Sequence, residues 1–534
     1  MSKPLHWVIF ALLISTQLSA NQLFSLQQDK EGKEFTNQLS EHNAADGTVK
    51  KAITLSPTWK RDMMRLLLPP SDHLFFYGMI DGKQARIQMV DKSDISQIKT
   101  IDTAHLHERL INNERLYQFF HLTADQKHLL VHVGKKKNQQ LLVIDVQQGV
   151  IAKAIALSKF KNEVSVSSDQ QYLLVNNTSR DELTVLRMSD FSVALTSKLG
   201  DYRQFGTIHQ DHLYLTKQSG QKPKAQHWVQ AIDLNSHEKV SFPARSQVTP
   251  VFATSEQTGR LFTVAADERG KNIVLSELTG TSIKPIKTYP VKRIDLQEMI
   301  VMDDYQQILV KGFDKLVLIN LTDDYPHTYT KLPFDTADYA YNTRGDLLYL
   351  REGSGSEVAV VDVANGELIE RSGTGRPGVK FGQFLGTVVL AGATGFGLNY
   401  MQIVYKRSST GMILNHQENN LYVINWKTND VTRFTAADLS NREAIATGGG
   451  TGLLYQSDDA QAPVWVFSGK QITQINDADF TVTQAIEYES LVGFDGEQDF
   501  FIIKTEDEVQ THDMKTGQII SRWPMTKAHL IWSE

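Results

Sequence analysis

The feature that most limits the fold is a short apolar phrase, closed by a polar residue, that returns along almost the whole chain. It reads 87-IQMVDK, 141-LLVIDV, 183-LTVLRM, 229-VQAIDL, 273-IVLSEL, 316-LVLINL, 358-VAVVDV, 421-LYVINW, 464-VWVFSG and 509-VQTHDM. Its polar position falls at Asp91, Asp145, Arg187, Asp233, Glu277, Asn320, Asp362, Asn425, Ser468 and Asp513. Seven of the nine successive gaps are 42 to 46 residues, and the exceptions are 54 (Asp91 to Asp145) and 63 (Asp362 to Asn425). A steady period of this length marks a repeat architecture, in which each unit buries its faces against its neighbours.

The flanks repeat as well. About fifteen residues ahead of the phrase stands a polar turn and a second apolar stretch, as in 125-DQKHLLVHV, 169-DQQYLLVNN and 258-TGRLFTVAA. A turn followed by alternating apolar residues is a hairpin signal. Behind the phrase come Asp145–Gly149, Asp362–Gly366 and Asp513–Gly517, with Asn425–Asn429 as a variant. Asp and Asn bond their own turn backbone, and Gly and Asn accept positive φ. Each unit therefore reads as three strands with room for a fourth. The expected fold is all-β: a β-propeller of four-stranded antiparallel blades, with about ten units counted. Propellers typically have four to eight blades. The alternatives are one larger ring, a ring of seven or eight blades with extra strands, or two rings.

The strand 169-DQQYLLVNN, the phrase 141-LLVIDV and the turn 362-DVANGEL together resemble the YVTN-type propellers, the group that includes quinoprotein amine dehydrogenase propeller subunits. The likeness spans roughly residues 70–525, and the Tyr-Val-Thr-Asn tetrapeptide itself is absent. It implies a propeller and no single activity, because that group serves many functions.

The chain divides into residues 1–20, 21–70 and 71–534. In the first part, Met1 and Lys3 precede the apolar run Trp7–Ile14, and Ala20 offers a cleavage point before Asn21. This reads as a secretory signal peptide, too short to span a bilayer comfortably. An uncleaved anchor or a buried segment is the alternative. Residues 21–70 are irregular, with Thr48–Leu55 a candidate strand closing the ring against 528-AHLIWSE. No later segment is apolar for long enough to predict a transmembrane helix. The absence of cysteine removes disulfides, thiolate metal sites, covalent c-type haem and lipoprotein acylation. An exported chain without cysteine suits a bacterial periplasm or exterior. A net charge of −6 gives no attraction to nucleic acid, and Lys135–Lys137 reads as a solvated hairpin tip.

Residues 371–399 form a glycine-rich insertion inside the 63-residue gap. Gly373, Gly375 and Gly378 fit G-x-G-x-x-G, and Gly392, Gly395 and Gly397 imitate a second dinucleotide turn. Such a turn should open a helix, with an acid about 20 residues on. Pro377 lies inside the first match, Leu398 stands where a third glycine belongs, and no Asp or Glu occurs between Arg371 and Gln417. The stretch reads as a long inter-strand loop.

Other candidates are isolated. Asp513–Gly517 followed by Trp523 is similar to the tryptophan-docking repeat of quinone-cofactor propellers. His105 with His107, His209 with His212, and His128 with His132 would each offer two imidazoles, but no third ligand is identified. Asp303-Asp304 and Asp323-Asp324 could hold calcium, without the spacing of an EF-hand loop. No cofactor is predicted, with calcium or a quinone left open. Phe75-Phe76-Tyr77, Phe119-Phe120, Tyr339 with Tyr341, and Phe500-Phe501 read as inter-blade packing, or as a partner- or glycan-binding rim. Catalytic residues cannot be assigned. The function expected is an exported, non-catalytic propeller that binds or scaffolds a partner protein or ligand in the bacterial envelope. The alternative is a propeller enzyme, or a cofactor-bearing subunit of a periplasmic redox enzyme.

Overall fold

A computed structural model describes residues 22–102, 120–375 and 408–533, apart from short stretches in the loops. Residues 1–20, read above as a signal peptide, His105, His107, Phe119, Lys135–Lys137 and residues 376–399 of the insertion lie outside the described residues. Among the described residues there are eleven antiparallel sheets and no α-helix; one three-residue 3-10 turn, Asp303–Tyr305, is the single helical piece.

Ten sheets contain a sequential four-stranded meander and are called blades one to ten; the ninth carries Ser408–Ser409 as a fifth strand on its edge. They span 64–102, 120–156, 162–198, 207–241, 251–290, 296–331, 336–373, 412–446, 453–487 and 490–524. They coincide with the ten phrases. The eleventh blade is assembled from both ends of the chain. Its strands are Ala528–Ser533, Gln22–Glu31, Glu34–His42 and Val49–Trp59, in that order. Leu23 pairs with Trp532 and Leu26 with His529. The C-terminal strand thus meets Gln22–Glu31 and not the stretch 48–55, which forms part of the strand at the opposite edge of the same sheet.

The phrase forms strands because it is buried on both faces. In 140-QLLVID, Leu141, Leu142, Val143 and Ile144 are all fully buried. Successive side chains of a strand point to opposite faces. Leu142 and Ile144 enter a cluster with Phe75, Ile87 and Met89 of blade one, whereas Leu141 and Val143 enter a cluster with Leu173, Val175 and Leu186 of blade three. Among the described residues eleven such clusters occur, each shared by two successive blades. The last two join blade ten to the closing blade through Ile502, Val509, Trp523 and Leu23, and the closing blade to blade one through Phe24, Leu39, Phe76 and Val90. The packing is therefore cyclic: one ring of eleven blades. The two-ring and seven- or eight-bladed alternatives are set aside.

First strands of neighbouring blades touch, as 251–254 touches 296–302, and so face the axis. Fourth strands are the most exposed, as in 150-VIAKAIA, and form the rim. At the rim, lysines of one blade hold the turn between the third and fourth strands of the next. Lys153 Nζ donates to the carbonyls of Asp190 (3.1 Å) and Phe191 (2.9 Å). Lys99 reaches Gln147 O, Lys287 reaches Asp324 O, and Lys51 meets the Asp94 carboxylate. The turns themselves have the predicted chemistry. Asp145 Oδ1 accepts from Gln148 N at 2.7 Å, and Gly149 adopts φ +70.

Candidate functional site

In a four-stranded meander, the turns joining strands one to two and three to four lie at one end. The turns of this kind from blades eight, nine and ten surround a polar cleft of about 1000 Å³. Blade eight contributes Gln417, Asn419 and Asn420 from its first turn and Asn441, Arg442 and Glu443 from its last. Blade nine contributes Gln461, Gln474 and the turn Asn476–Ala478, and blade ten contributes Lys515 and Thr516. These residue types settle in turns because short amide and hydroxyl side chains bond nearby backbone. Asn476 Oδ1 accepts from Ala478 N at 2.9 Å, and Asp513 Oδ1 accepts from Thr516 N at 2.7 Å.

Asp477 organises the cleft. Its Oδ2 accepts from Asn415 Nδ2 (2.7 Å), and its Oδ1 accepts from Asn420 Nδ2 (3.0 Å) and from the Tyr422 hydroxyl. Burial pushes the Tyr422 phenol well above its ordinary range, and the adjacent carboxylate adds to the shift. Arg433 donates from Nη1 to Asp477 O at 2.7 Å and from Nε to Glu443 Oε2 at 3.1 Å, and its guanidinium lies 4.8 Å from the Phe480 ring centre. One carboxylate and one guanidinium thus lock blade eight to blade nine. Lys515 pairs with Asp499 at 2.8 Å, which raises its pKa.

Arg442 links the cleft to the insertion. Its Nη2 donates to Thr374 O (3.1 Å) and Gly375 O (2.6 Å), the last described residues before residue 376. Gly375 N donates to Thr432 Oγ1 at 2.7 Å. The far end of the gap is fixed as well. Ser408–Ser409 pairs with Leu454–Tyr455 of the first strand of blade nine, and Gly411 lies against Asp338 and Arg351. Arg351 is almost fully buried, donates from Nε to Asp338 Oδ2 at 2.7 Å, and stacks 4.7 Å from the Trp426 ring centre. The near foot of the glycine-rich gap is therefore held by Arg442 and the far foot by strand pairing with blade nine.

Of the residues singled out from sequence, His209 and His212 face each other across the turn they flank, and the rest scatter. His128 packs edge-on against Phe191 of blade three, and His132 bonds Gln139 at 3.1 Å. His212 bonds Gln210 O at 2.7 Å and stands 3.6 Å from Asp233, while burial lowers the pKa of His209. Asp303 takes hydrogen bonds from Ser255, Glu256 N and Gln257 N of blade five. Asp323 and Asp324 lie in the last turn of blade six, and the Asp324 carbonyl takes Lys287. Among the described residues no three His, Asp or Glu side chains are grouped to hold a metal. Trp523 is buried in the interface with the closing blade, and the indole that meets the 513–517 turn is Trp465, whose Nε1 donates to Met514 O at 2.6 Å. Phe75 and Phe76 enter opposite interfaces of blade one, Phe501 packs between blades nine and ten, and Phe500 is partly buried against the closing blade. Tyr341 stacks on Tyr305 at 4.9 Å, whereas Tyr339, on the first strand of blade seven, stays 37% exposed.

No protein-family model matches the chain, and no curated protein matches it. Among solved structures, AztD of Citrobacter koseri is similar at 10% identity over 80% of this chain and 96% of that one, with a TM-score of 0.34. The dihydro-heme d1 dehydrogenase NirN is similar at 11% identity over 75% of this chain and 74% of that one, with a TM-score of 0.33. Hsv2 of Kluyveromyces lactis is similar at 12% identity over 61% of this chain and 99% of that one, with a TM-score of 0.28. These likenesses concern the β-propeller fold and say nothing of substrate or partner.

Proposed function

We propose that this chain is an exported, non-catalytic propeller of the bacterial envelope, of the YVTN-type kind, that binds a ligand or partner on one face of its ring. The apolar N-terminal segment and the lack of cysteine support export. Among the described residues no helix is long and apolar enough to cross a membrane.

The observation that carries the reading is the cleft shared by blades eight, nine and ten. A rigid scaffold that converges several turns on one concavity is built to bind. The cleft side chains form no nucleophile-and-base set. The Thr483 hydroxyl donates to Gln474 Oε1 at 2.7 Å, the Thr516 hydroxyl to Asp513, and the lining contains no histidine.

The test compares the purified protein with a variant carrying Gln417→Ala, Gln461→Ala and Asn441→Ala. Binding of an envelope component that is lost in the triple variant supports the reading. A coloured or metal-loaded protein with substrate turnover that survives the triple substitution overturns it in favour of a redox or hydrolytic enzyme.

A further inference from the structure

The cleft constrains what it can hold. Its charged side chains make their hydrogen bonds within the protein. Arg433 is taken by Glu443 and Asp477 O, Arg442 by two carbonyls, Lys515 by Asp499, and Asp477 by three donors. These charges balance, three cations (Arg433, Arg442, Lys515) against three carboxylates (Glu443, Asp477, Asp499), so an ionised ligand finds no net opposite charge and would have to displace a bond already made, which costs the desolvation of the group left behind.

What remains turned to solvent is amide. The Gln461 side chain, Gln417 Nε2 and Asn441 Oδ1 meet no protein partner among the described residues, and all three residues are exposed. An amide offers donors and acceptors in one plane, and a hydroxyl offers one donor and two acceptors. Rows of amides therefore suit neighbouring hydroxyls, each of which both gives and takes a hydrogen bond. The apolar lining is limited to Pro463 and Ala478. A peptide would find no pocket for an aromatic or aliphatic anchor, and such anchors carry most protein interfaces. The volume of about 1000 Å³ lies at the upper end of small-molecule pockets, and three blades share it. A single small metabolite would leave most of it to water.

We infer that the cleft takes a neutral, hydroxyl-rich chain, an oligosaccharide. The inference rests on the reading of this cleft as a binding site and names the chemical class it accepts. It assigns Gln417, Gln461 and Asn441 to direct contact with hydroxyls, and Arg433 and Asp477 to holding the turns that present them.

Titration calorimetry of the purified full chain with maltohexaose, cellohexaose, laminarihexaose and chitohexaose tests this, alongside a tryptic digest of denatured casein. At least one hexaose should bind, with an affinity that does not change between low and high salt. Gln417→Ala with Gln461→Ala should weaken it about 10-fold, the loss expected for two hydrogen bonds, with the melting temperature unchanged. A hexaose that binds equally well to the double variant overturns the placement in the cleft. Failure of all four hexaoses overturns the oligosaccharide class. Casein peptides that bind and are weakened by the double variant do the same, yet leave the cleft standing as a binding site. Affinity that falls steeply with salt overturns the neutral character of the ligand.

Discussion

Asp477 adds a polar lock to the apolar cluster that blades eight and nine already share through Ile413, Ile424, Leu454 and Val464. Removing its carboxylate takes the acceptor from Asn420 Nδ2 and the buried Tyr422 hydroxyl and one of two acceptors from Asn415, which keeps Asn419 Oδ1. Hydrogen bonds to a charged group contribute roughly 1.5–3 kcal/mol, and stranded buried donors cost more than the bond they lose. Asp477→Ala is expected to destabilise the protein by about 2–4 kcal/mol in urea unfolding. Asp477→Asn should cost less, because its oxygen still accepts. Equal costs for the two would show that shape and not charge matters there. None of this was legible in the sequence. The turn 476-NDADF lacks the glycine of its relatives, and the three partners of Asp477 lie 62, 57 and 55 residues away. A backbone position near the insertion is equally particular. Gly355 adopts φ +73, and a Cβ there would stand 2.1 Å from Ile424 O. Gly355→Ala should therefore lower the melting temperature clearly, through both backbone strain and the clash with blade eight.

At the scale of elements, periodicity revealed the blades but not which strand it was marking. In blades one to seven and in blade ten the recurring phrase is the third strand, as in 141-LLVID and 509-VQTHD. In blades eight and nine it is the second strand, Asn420–Asn425 and Val464–Phe467. The reason is that a central strand of either kind is buried on both faces, so both read as the same apolar run. The 63-residue gap therefore understates the insertion, because the slip from a third to a second strand shortens it. The closing blade escaped the count for a different reason: its strands come from opposite ends of the chain, and no sequence period joins them. Its C-terminal strand is the clasp. Without Ala528–Ser533, the backbone of Gln22–Glu31 loses its partner on one edge. Such a bare edge exposes unpaired N–H and C=O groups. Deleting residues 528–534 should lower the unfolding midpoint and promote aggregation. By contrast, shortening the stretch between Gly375 and Ser408 should leave the midpoint nearly unchanged, because both feet are anchored in blades seven to nine. A closing-strand deletion as stable as the intact chain would show that ring closure contributes little.

A ring of eleven blades has no terminal unit, so stability is shared by interfaces of which none can be omitted. The histidines couple that shared stability to pH. Burial is the main cause that lowers the pKa of His73, His121, His132, His209, His327 and His512 below the ordinary 6.5. These residues belong to blades one, two, four, six and ten. Above pH 6.5 they are neutral both folded and unfolded, and contribute no pH dependence. As the pH falls through 6.5, the unfolded chain takes up protons that the folded ring refuses. Stability is then lost progressively until the folded pKa values are passed. His512 shows what resists protonation: it lies stacked at 4.9 Å on Phe501 in the interface between blades nine and ten, and its Nδ1 donates to Gly517 O at 3.2 Å in the turn beside the cleft. The depressed carboxylates Asp91, Asp125 and Asp233 add a second, separate loss, because they must be protonated at still lower pH. The melting temperature should therefore hold level above about pH 7 and fall between about pH 6.5 and 5, ahead of the loss that the depressed Asp91, Asp125 and Asp233 add. His512→Gln, which bears no titrating group, should flatten part of that fall while leaving the acid limb in place. A melting temperature that stays level from neutrality down to about pH 5 would show that the buried imidazoles are not what ties this ring to pH.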